Sequence, residues 1–440
     1  MTDLLRSIIQ DAWPFWLISL IASLITITII MLAAVGTMML MVWLERRVVA
    51  RMQDRLGPNR VGPAGLLQSI ADGVKMFTKE DIVPRAADQW VHMLAPIVVV
   101  SPVVLIFAVV PWGRGVSPSD FGNGVLFVLA ISSISAIGLM MAGWSSSNKF
   151  AMLGAMRAVA QLISYEIPAV LALLSAVIVS GSMQLARMPE LQGGWPLVGT
   201  TLGGPDLGLG WFVFTPVGLV GFVIFFIAIL AEGERTPFDI PEADSEIVAG
   251  HTTEYSGMKF ALFYIGQYVL NFVLSMVATV VFLGGWQGPL LAQLAIGNLA
   301  PLGGLLSLVY MLIKVWGLFF VMIWLRGALP RLRVDQLMDF AWKLLLPIAL
   351  INLFSAALWV TINLWGSSPA WTIKVIIPVV SIDLLGWLET ASPIVRQITA
   401  LIVTAALNIA AIRWVLAINR RTEDEEPEEA MLDVLEQRVA

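Results

Sequence analysis

Between two long apolar runs, residues 231–250 read AEGERTPFDIPEADSEIVAG and carry six carboxylates against the single arginine Arg235. Acids this dense beside a bilayer repel one another, and each ionised group resists desolvation. Glu242 and Glu246, four residues apart, share one helical face and oppose each other by roughly a few tenths of a kcal/mol. Glu232 and Glu234 fall at the end of an apolar helix, where the helix dipole disfavours negative charge. Pro241 suits a first helical turn, Glu242, Asp244 and Glu246 suit the positions after it, and Gly250 can end the helix. Two readings stand: a solvated acidic loop, or a set of groups placed to exchange protons. The apolar anchor and fixed turn of RTPFD favour an ordered segment over a floppy one.

Two further ionisable groups lie at membrane depth. Glu166, in QLISYEIPAVLALL, precedes an uninterrupted apolar run, so it is either an interfacial acid paired with Arg157 or a proton carrier inside the bundle. Lys314 sits near the middle of another apolar run, too deep to reach either interface. It is expected to face the bundle interior and meet a carboxylate, as a structural ion pair or as part of a relay.

The elements that must hold these groups are membrane helices. Of the 440 residues, 58% are hydrophobic and only 13% charged, more apolar than soluble domains of any fold. Runs long enough to cross about 30 Å of hydrocarbon fall at 15–44, 94–112, 123–144, 158–182, 211–231, 258–283, 301–325, 342–365 and 394–418. The fold class is therefore an all-α polytopic membrane protein, with eight spans followed by a ninth, C-terminal one. No separate soluble domain is visible, and no internal repeat that would mark an inverted-repeat transporter. The first run lacks a basic leader and a small-residue cleavage site, so it is a permanent span.

Basic residues set the orientation. The loop after the first span holds Arg46, Arg47, Arg51, Arg55 and Arg60, and the loop after the seventh holds Arg326, Arg331 and Arg333. The N-terminus should face outward, and the ninth span brings Arg420 and Arg421, with the acidic tail behind them, to the cytoplasm. That tail reads as a solvated segment with at most a short helix over 428–438.

Within the first cytoplasmic loop, Gly57, Pro58, Gly62 and Pro63 impose a turn-rich path. An amphipathic helix should follow over 64–79. Leu66, Ile70, Val74 and Phe77 form its apolar stripe, and Gln68, Asp72, Lys75 and Lys79 the polar one. Such a helix lies in the interface plane, with Asp72 turned either to water or to the mouth of a cavity. The chain has no cysteine, which excludes disulfides and all-cysteine iron–sulfur clusters, and His92 and His251 are too few for a membrane chain that carries haem. Any electrons must arrive from elsewhere.

GPNRVGPAGLLQSIADGVKMFTKEDIVP, AMRAVAQLISYEIP, AEGERTPFDIPEADSEIVAGHTTEYSGMKFALF and WLRGALPRLRVDQLMDFAWKLLLP resemble, in this order, signature stretches of the H subunit (subunit 1 in mitochondria) of the proton-pumping NADH-quinone oxidoreductases, respiratory complex I. The resemblance spans roughly residues 15 to 365. It implies eight spans in residues 1–365, with the loop helix at 64–79 and the acidic loop at 232–257. Residues 366–418, with the ninth span, and the tail 419–440 fall outside the common core. It implies that Glu45, Arg46, Asp72 and Phe238 line a quinone chamber. Glu166, Glu232, Glu242, Asp244, Glu246 and Glu254 would form an acidic chain from that chamber into the membrane. Lys314 is added as a proton-coupling candidate on its depth in the span alone, not on the resemblance.

The resemblance also implies no catalytic residue, metal or bound cofactor in this chain, with quinone as substrate. Iron–sulfur clusters, FMN and NADH would belong to partner subunits, and antiporter-like membrane subunits would complete the pump in a bacterial inner membrane. One departure stands out: in FALFYIGQYVL this chain has Gln267 where the family usually has glutamate. Two alternatives remain open, the homologous anchor subunit of a membrane-bound hydrogenase or related dehydrogenase, and a secondary transporter using Glu166 and Lys314 as a midplane site.

Overall fold

The computed structural model describes residues 15–119, 121–193, 208–240, 248–289, 300–364 and 393–439. Each of the nine apolar runs is a helix: α1 (Phe15–Met52), α3 (Gln89–Val109), α4 (Gly124–Ser145), α5 (Lys149–Ser180), α6 (Pro216–Glu232), α7 (Gly257–Phe282), α8 (Ala300–Ala328), α9 (Leu346–Leu364) and α10 (Pro393–Val439). The loop helix is α2 (Gln68–Thr78), entered through a 3-10 turn at Pro63–Gly65. Among the described residues, eight helices are long and apolar enough to cross a bilayer. The other, α6, has 17 residues and spans about 25 Å at the usual helical rise, the lower limit for a crossing. The chain is a multi-pass membrane protein.

Two boundaries differ from the sequence expectation in ways that matter for the site. Helix α1 runs to Met52, because the charged stretch WLERRVVARM is a good helix former even though it ends the apolar pattern. Glu45 and Arg46 therefore stand on a rigid helix rather than in a loop. Helix α9 is continuous with a shorter helix, Val334–Asp339, through a π-helical segment at Phe340–Leu345. The tail beyond Arg420 continues α10 as far as Val439, where only a short separate helix was expected.

Helix α7 is the axis of the bundle. Every residue from Tyr268 to Phe282 is buried, as expected of a helix that is apolar on all sides. Its polar residues Asn271, Ser275 and Thr279 recur every four residues. Each donates to the preceding turn: Asn271 Nδ2 to the Gln267 carbonyl at 2.9 Å, Ser275 Oγ to that of Asn271 at 2.7 Å, and Thr279 Oγ1 to that of Ser275 at 2.8 Å. With no water in the bilayer core, such internal bonds are what make a polar stripe tolerable there.

Around this axis α5 packs against α4, α6 and α9, while α3 packs against α4 and α7. The connections 53–88, 146–148, 233–240, 248–256 and 329–333 gather at one end of the bundle. They are cross-linked there: the Asp88 amide donates to the Ser145 carbonyl, Asn148 holds Glu254, and Lys259 pairs with Asp81 at 2.8 Å. Helix α2 lies on this end, fastened by Ser69 Oγ to the Met39 carbonyl at 2.9 Å. Its stripe of Ile70, Val74 and Phe77 is exposed, turned away from the bundle.

Candidate functional site

The loop end collects charged side chains from four separate parts of the chain. Glu45 of α1 is buried and receives two arginines. Arg235 Nη1 donates to its Oε2 at 2.9 Å, and Arg326 Nη1 of α8 donates to its Oε1. The Arg235 guanidinium also lies 4.0 Å over the Tyr268 ring, an arrangement in which the aromatic face replaces part of the lost hydration. Its Nε and Nη2 groups are buried and meet no acceptor among the described residues.

Arg46, the next residue on α1, turns the other way. Its Nη1 donates to Asp72 Oδ2 on α2 at 2.6 Å, and Gln68 Nε2 donates to Asp72 Oδ1 at 3.2 Å. Partial burial by itself would raise the Asp72 carboxyl; the bonds from Arg46 and Gln68, with the charges of Arg46 and Lys75, outweigh it and hold the group below its ordinary value.

Between Glu232 and Ile240 the backbone shows how the acidic segment is held. Past the end of α6 the Arg235 amide returns to the Leu230 carbonyl at 3.0 Å, which forces Glu234 into the left-handed region at φ 49°. That conformation costs a non-glycine residue about 1 kcal/mol or more. Neighbouring helices hold it there. Gln161 of α5 donates to the carbonyls of Ala231 and Phe238 at 2.7 and 2.8 Å, and Asn271 of α7 donates to that of Gly233 at 3.2 Å. Arg331 pairs with Asp239 at 3.0 Å. Phe238 is 4% exposed and packs between Tyr165 and Phe340, so it anchors the turn in the core.

From this segment the acids continue inward. Glu232 lies within electrostatic reach of Glu166 and of the Ser132 hydroxyl, and Ser133 Oγ donates to Glu166 Oε1. On the other flank Gln267 Nε2 donates to Glu234 Oε2 at 3.4 Å. A cavity of about 30 Å³ lies between them, with Glu232, Glu234, His251, Gln267 and Ser135 as its polar lining. That volume holds about one or two waters. Glu254 stands nearby, bonded by Asn148 Nδ2 at 2.7 Å. Beside it Tyr255 stacks on His92 at 4.0 Å, and its burial pushes the phenol up to about 12, against the pull of the Ser145 hydroxyl, so it stays protonated. Glu242, Asp244 and Glu246 lie outside the described residues.

A family profile described as NADH dehydrogenase matches residues 25–357. The chain belongs to that family. Among its relatives is the H subunit of the NADH-quinone oxidoreductase of Dehalococcoides mccartyi strain CBDB1, 43% identical over 343 residues, which are 78% of this chain and 87% of the relative. The corresponding protein of a second strain of that species, 195, is 44% identical over 321 residues, 73% of this chain and 82% of the relative.

The family match ends before α10, which begins at Pro393. Within the match, Lys314 corrects the sequence expectation. Among the described residues it meets no carboxylate: its Nζ donates to the carbonyls of Leu283, Gly285 and Gln287 at 2.7, 2.9 and 2.6 Å and sits 4.1 Å over the Trp211 ring. These carbonyls lie at the end of α7 and just past it, where helix geometry leaves acceptors unpaired and the dipole favours a cation. The lysine is a cap. Glu166 and Lys314 therefore do not form the midplane pair that a transporter reading needs.

Sequence reasoning missed Arg235, Arg326, Gln161 and His251. Arg235 had a signal, as the lone cation among six carboxylates. The other three had none, because their partners are 70 or more residues away or, for His251, are the walls of a cavity.

Proposed function

We propose that this chain is the membrane subunit of an NADH-quinone oxidoreductase in which its loop end forms part of the quinone chamber and couples quinone reduction to proton translocation. The supporting observation is the ion-paired cluster itself. Glu45, held by Arg235 and Arg326, and Asp72, held by Arg46, stand on rigid helices at the end where α2 covers the bundle. Arg235 keeps two buried N–H groups that no described protein atom accepts, donors suited to the oxygen of a bound quinone. A buried group that can donate but is unpaired is costly unless something else meets it.

Reduction of a quinone to a quinol takes two electrons and two protons, and it passes through negatively charged oxygens. Charge developing beside Arg235 and Arg46 weakens their hold on Glu45 and Asp72. Acids linked electrically, Glu232 on the cavity wall with Glu166 beyond it, then redistribute protons as a set. Electrons reach the quinone from partner subunits that carry NADH, FMN and iron–sulfur clusters, since a chain without cysteine ligates no thiolate cluster. The field change passes to the neighbouring membrane subunits of the pump, in a bacterial inner membrane with the N-terminus outside and the tail of α10 in the cytoplasm.

The test is Arg46→Ala in the assembled complex. NADH-to-quinone electron transfer should fall about tenfold or more while NADH oxidation by a soluble acceptor is retained. Equal retention of both rates would remove Arg46 from the chamber.

A further inference from the structure

His251 takes no part in the ion-paired cluster, yet its surroundings are unusual for a structural histidine. The ring is 2% exposed, its Nδ1 has no partner among the described residues, and the residue lines the cavity shared by Glu232, Glu234 and Gln267. Its position is fixed from three sides. Gly250 turns the chain at φ +56°, and the approach of Gly154 on α5 is so close that a Cβ there would meet Gly250 Cα at 2.5 Å. The edge of Phe263 on α7 contacts the imidazole at a centroid distance of 5.6 Å.

Apart from the two glutamates, the lining around His251 does not exchange protons. Gln267 is an amide that donates to Glu234, and the remaining lining from α3, α4, α5 and α7 is Ser135 together with apolar side chains. The ionisable groups facing His251 across the cavity are Glu232 and Glu234 alone among the described lining residues. Glu232 faces the membrane acid Glu166, and Glu234 belongs to the turn that carries Arg235.

Resting on the functional reading above and deepening it, we propose that His251 is the proton-exchanging group joining Glu234 to Glu232 through the waters this cavity accommodates. The carboxylic acid of one glutamate gives its proton to the neutral imidazole, leaving a carboxylate and an imidazolium. The imidazolium then gives one proton to the other carboxylate and returns to neutral. One proton moves, no electron does, and the cavity ends with the charge it began with. Burial pushes the imidazole down to about 4, so the ring rests neutral, with a nitrogen lone pair free to take a proton from either acid and pass it on.

The experiment uses the assembled complex in sealed membrane vesicles and reads quinone reductase rate and protons moved per electron pair. His251→Phe should lower turnover at least about tenfold, the lower end of what a positioned acid–base group contributes. His251→Gln, which keeps a polar side chain but does not ionise, should behave the same way and decides the matter if the phenylalanine variant does not assemble. The double variant His251→Phe with Gln267→Glu should recover to within about twofold of the parent, because a carboxyl group is restored to the opposite wall of the same cavity. A purely structural histidine would not be rescued from across the cavity. Parental rate and proton yield in His251→Gln, or absence of rescue in the double variant, overturns the proposal. Glu232→Gln serves as the control: if it is impaired while His251→Gln is not, only this inference fails, and if neither is impaired the functional reading fails with it.

Discussion

Glu45 and Arg235, 190 residues apart in the chain, meet in a buried ion pair at 2.9 Å, with both side chains less than a tenth exposed. The pair ties α1 to the turn after α6 and so sets where the acidic segment begins. Removing Glu45 strands the buried Arg235, and removing Arg235 leaves the buried Glu45 with only the partly exposed Arg326; losing a partner from a buried pair typically costs about 3 to 5 kcal/mol. Arg235→Leu is therefore expected to lower the thermal midpoint of the purified complex or prevent its assembly. Glu45→Leu combined with Arg235→Leu should be less damaging than either single change, since no charge is then left between α1 and the turn other than the half-exposed Arg326. A double variant as unstable as the sum of the singles would contradict this.

Asp72 behaves differently because its contact with Arg46 is half open to solvent. Exposed pairs contribute about 0 to 1 kcal/mol, so Asp72→Asn should change stability by no more than that. Its carboxyl is depressed in the fold, so whatever the pair adds is fully present above the ordinary carboxylate range and is lost only as pH falls through the lower folded value. Thermal midpoints of parent and variant should run parallel from about pH 5 to pH 8, while quinone reduction falls in the variant.

His251 acts in the same direction as Asp72 but in a higher pH window. Its imidazole is held neutral, so below about pH 6.5 the unfolded chain takes up a proton that the folded one refuses until about pH 4. Over that window stability should decline by up to about 1.4 kcal/mol per pH unit on account of this group. His251→Phe should flatten the acid limb of the stability curve by a corresponding amount, as read by thermal unfolding between about pH 4.5 and 7.

Lys314→Met leaves three carbonyls at the end of α7 without their donor. Bonds to a charged group contribute about 1.5 to 3 kcal/mol each, so a loss of several kcal/mol is expected, seen as a lower thermal midpoint. In complexes that do assemble, protons moved per electron pair should match the parent. A selective fall in proton yield at unchanged stability would return Lys314 to the relay.

The spans were legible in the sequence because lipid demands unbroken apolar runs, and each predicted run is a helix. The continuation of α1 through Glu45 and Arg46 was not, since charge ends an apolar pattern without ending a helix. The loop helix was readable from its spacing, down to the polar position of Asp72. Lys314 was placed correctly at depth but given the wrong partner. Apolar periodicity carries no information about where another helix leaves its carbonyls, and a lysine satisfied by them looks in sequence like one waiting for an acid. Phe238 was singled out within RTPFD, and it is packed into the core by Tyr165 and Phe340. The cavity at His251 depends on five helices and two turns meeting in space, so no local pattern announces it.

If the acids behind the ion-paired cluster change their protons when quinone is reduced, Glu232, between the cavity and Glu166, is the residue through which that change must pass. The direct measurement is the number of protons moved per electron pair by sealed vesicles carrying the assembled complex with Glu232→Gln. A clear fall in that ratio is predicted, or a loss of turnover too large to support pumping, in complexes whose NADH oxidation by a soluble acceptor is intact. A ratio and a quinone reductase rate both equal to those of the parent would contradict it.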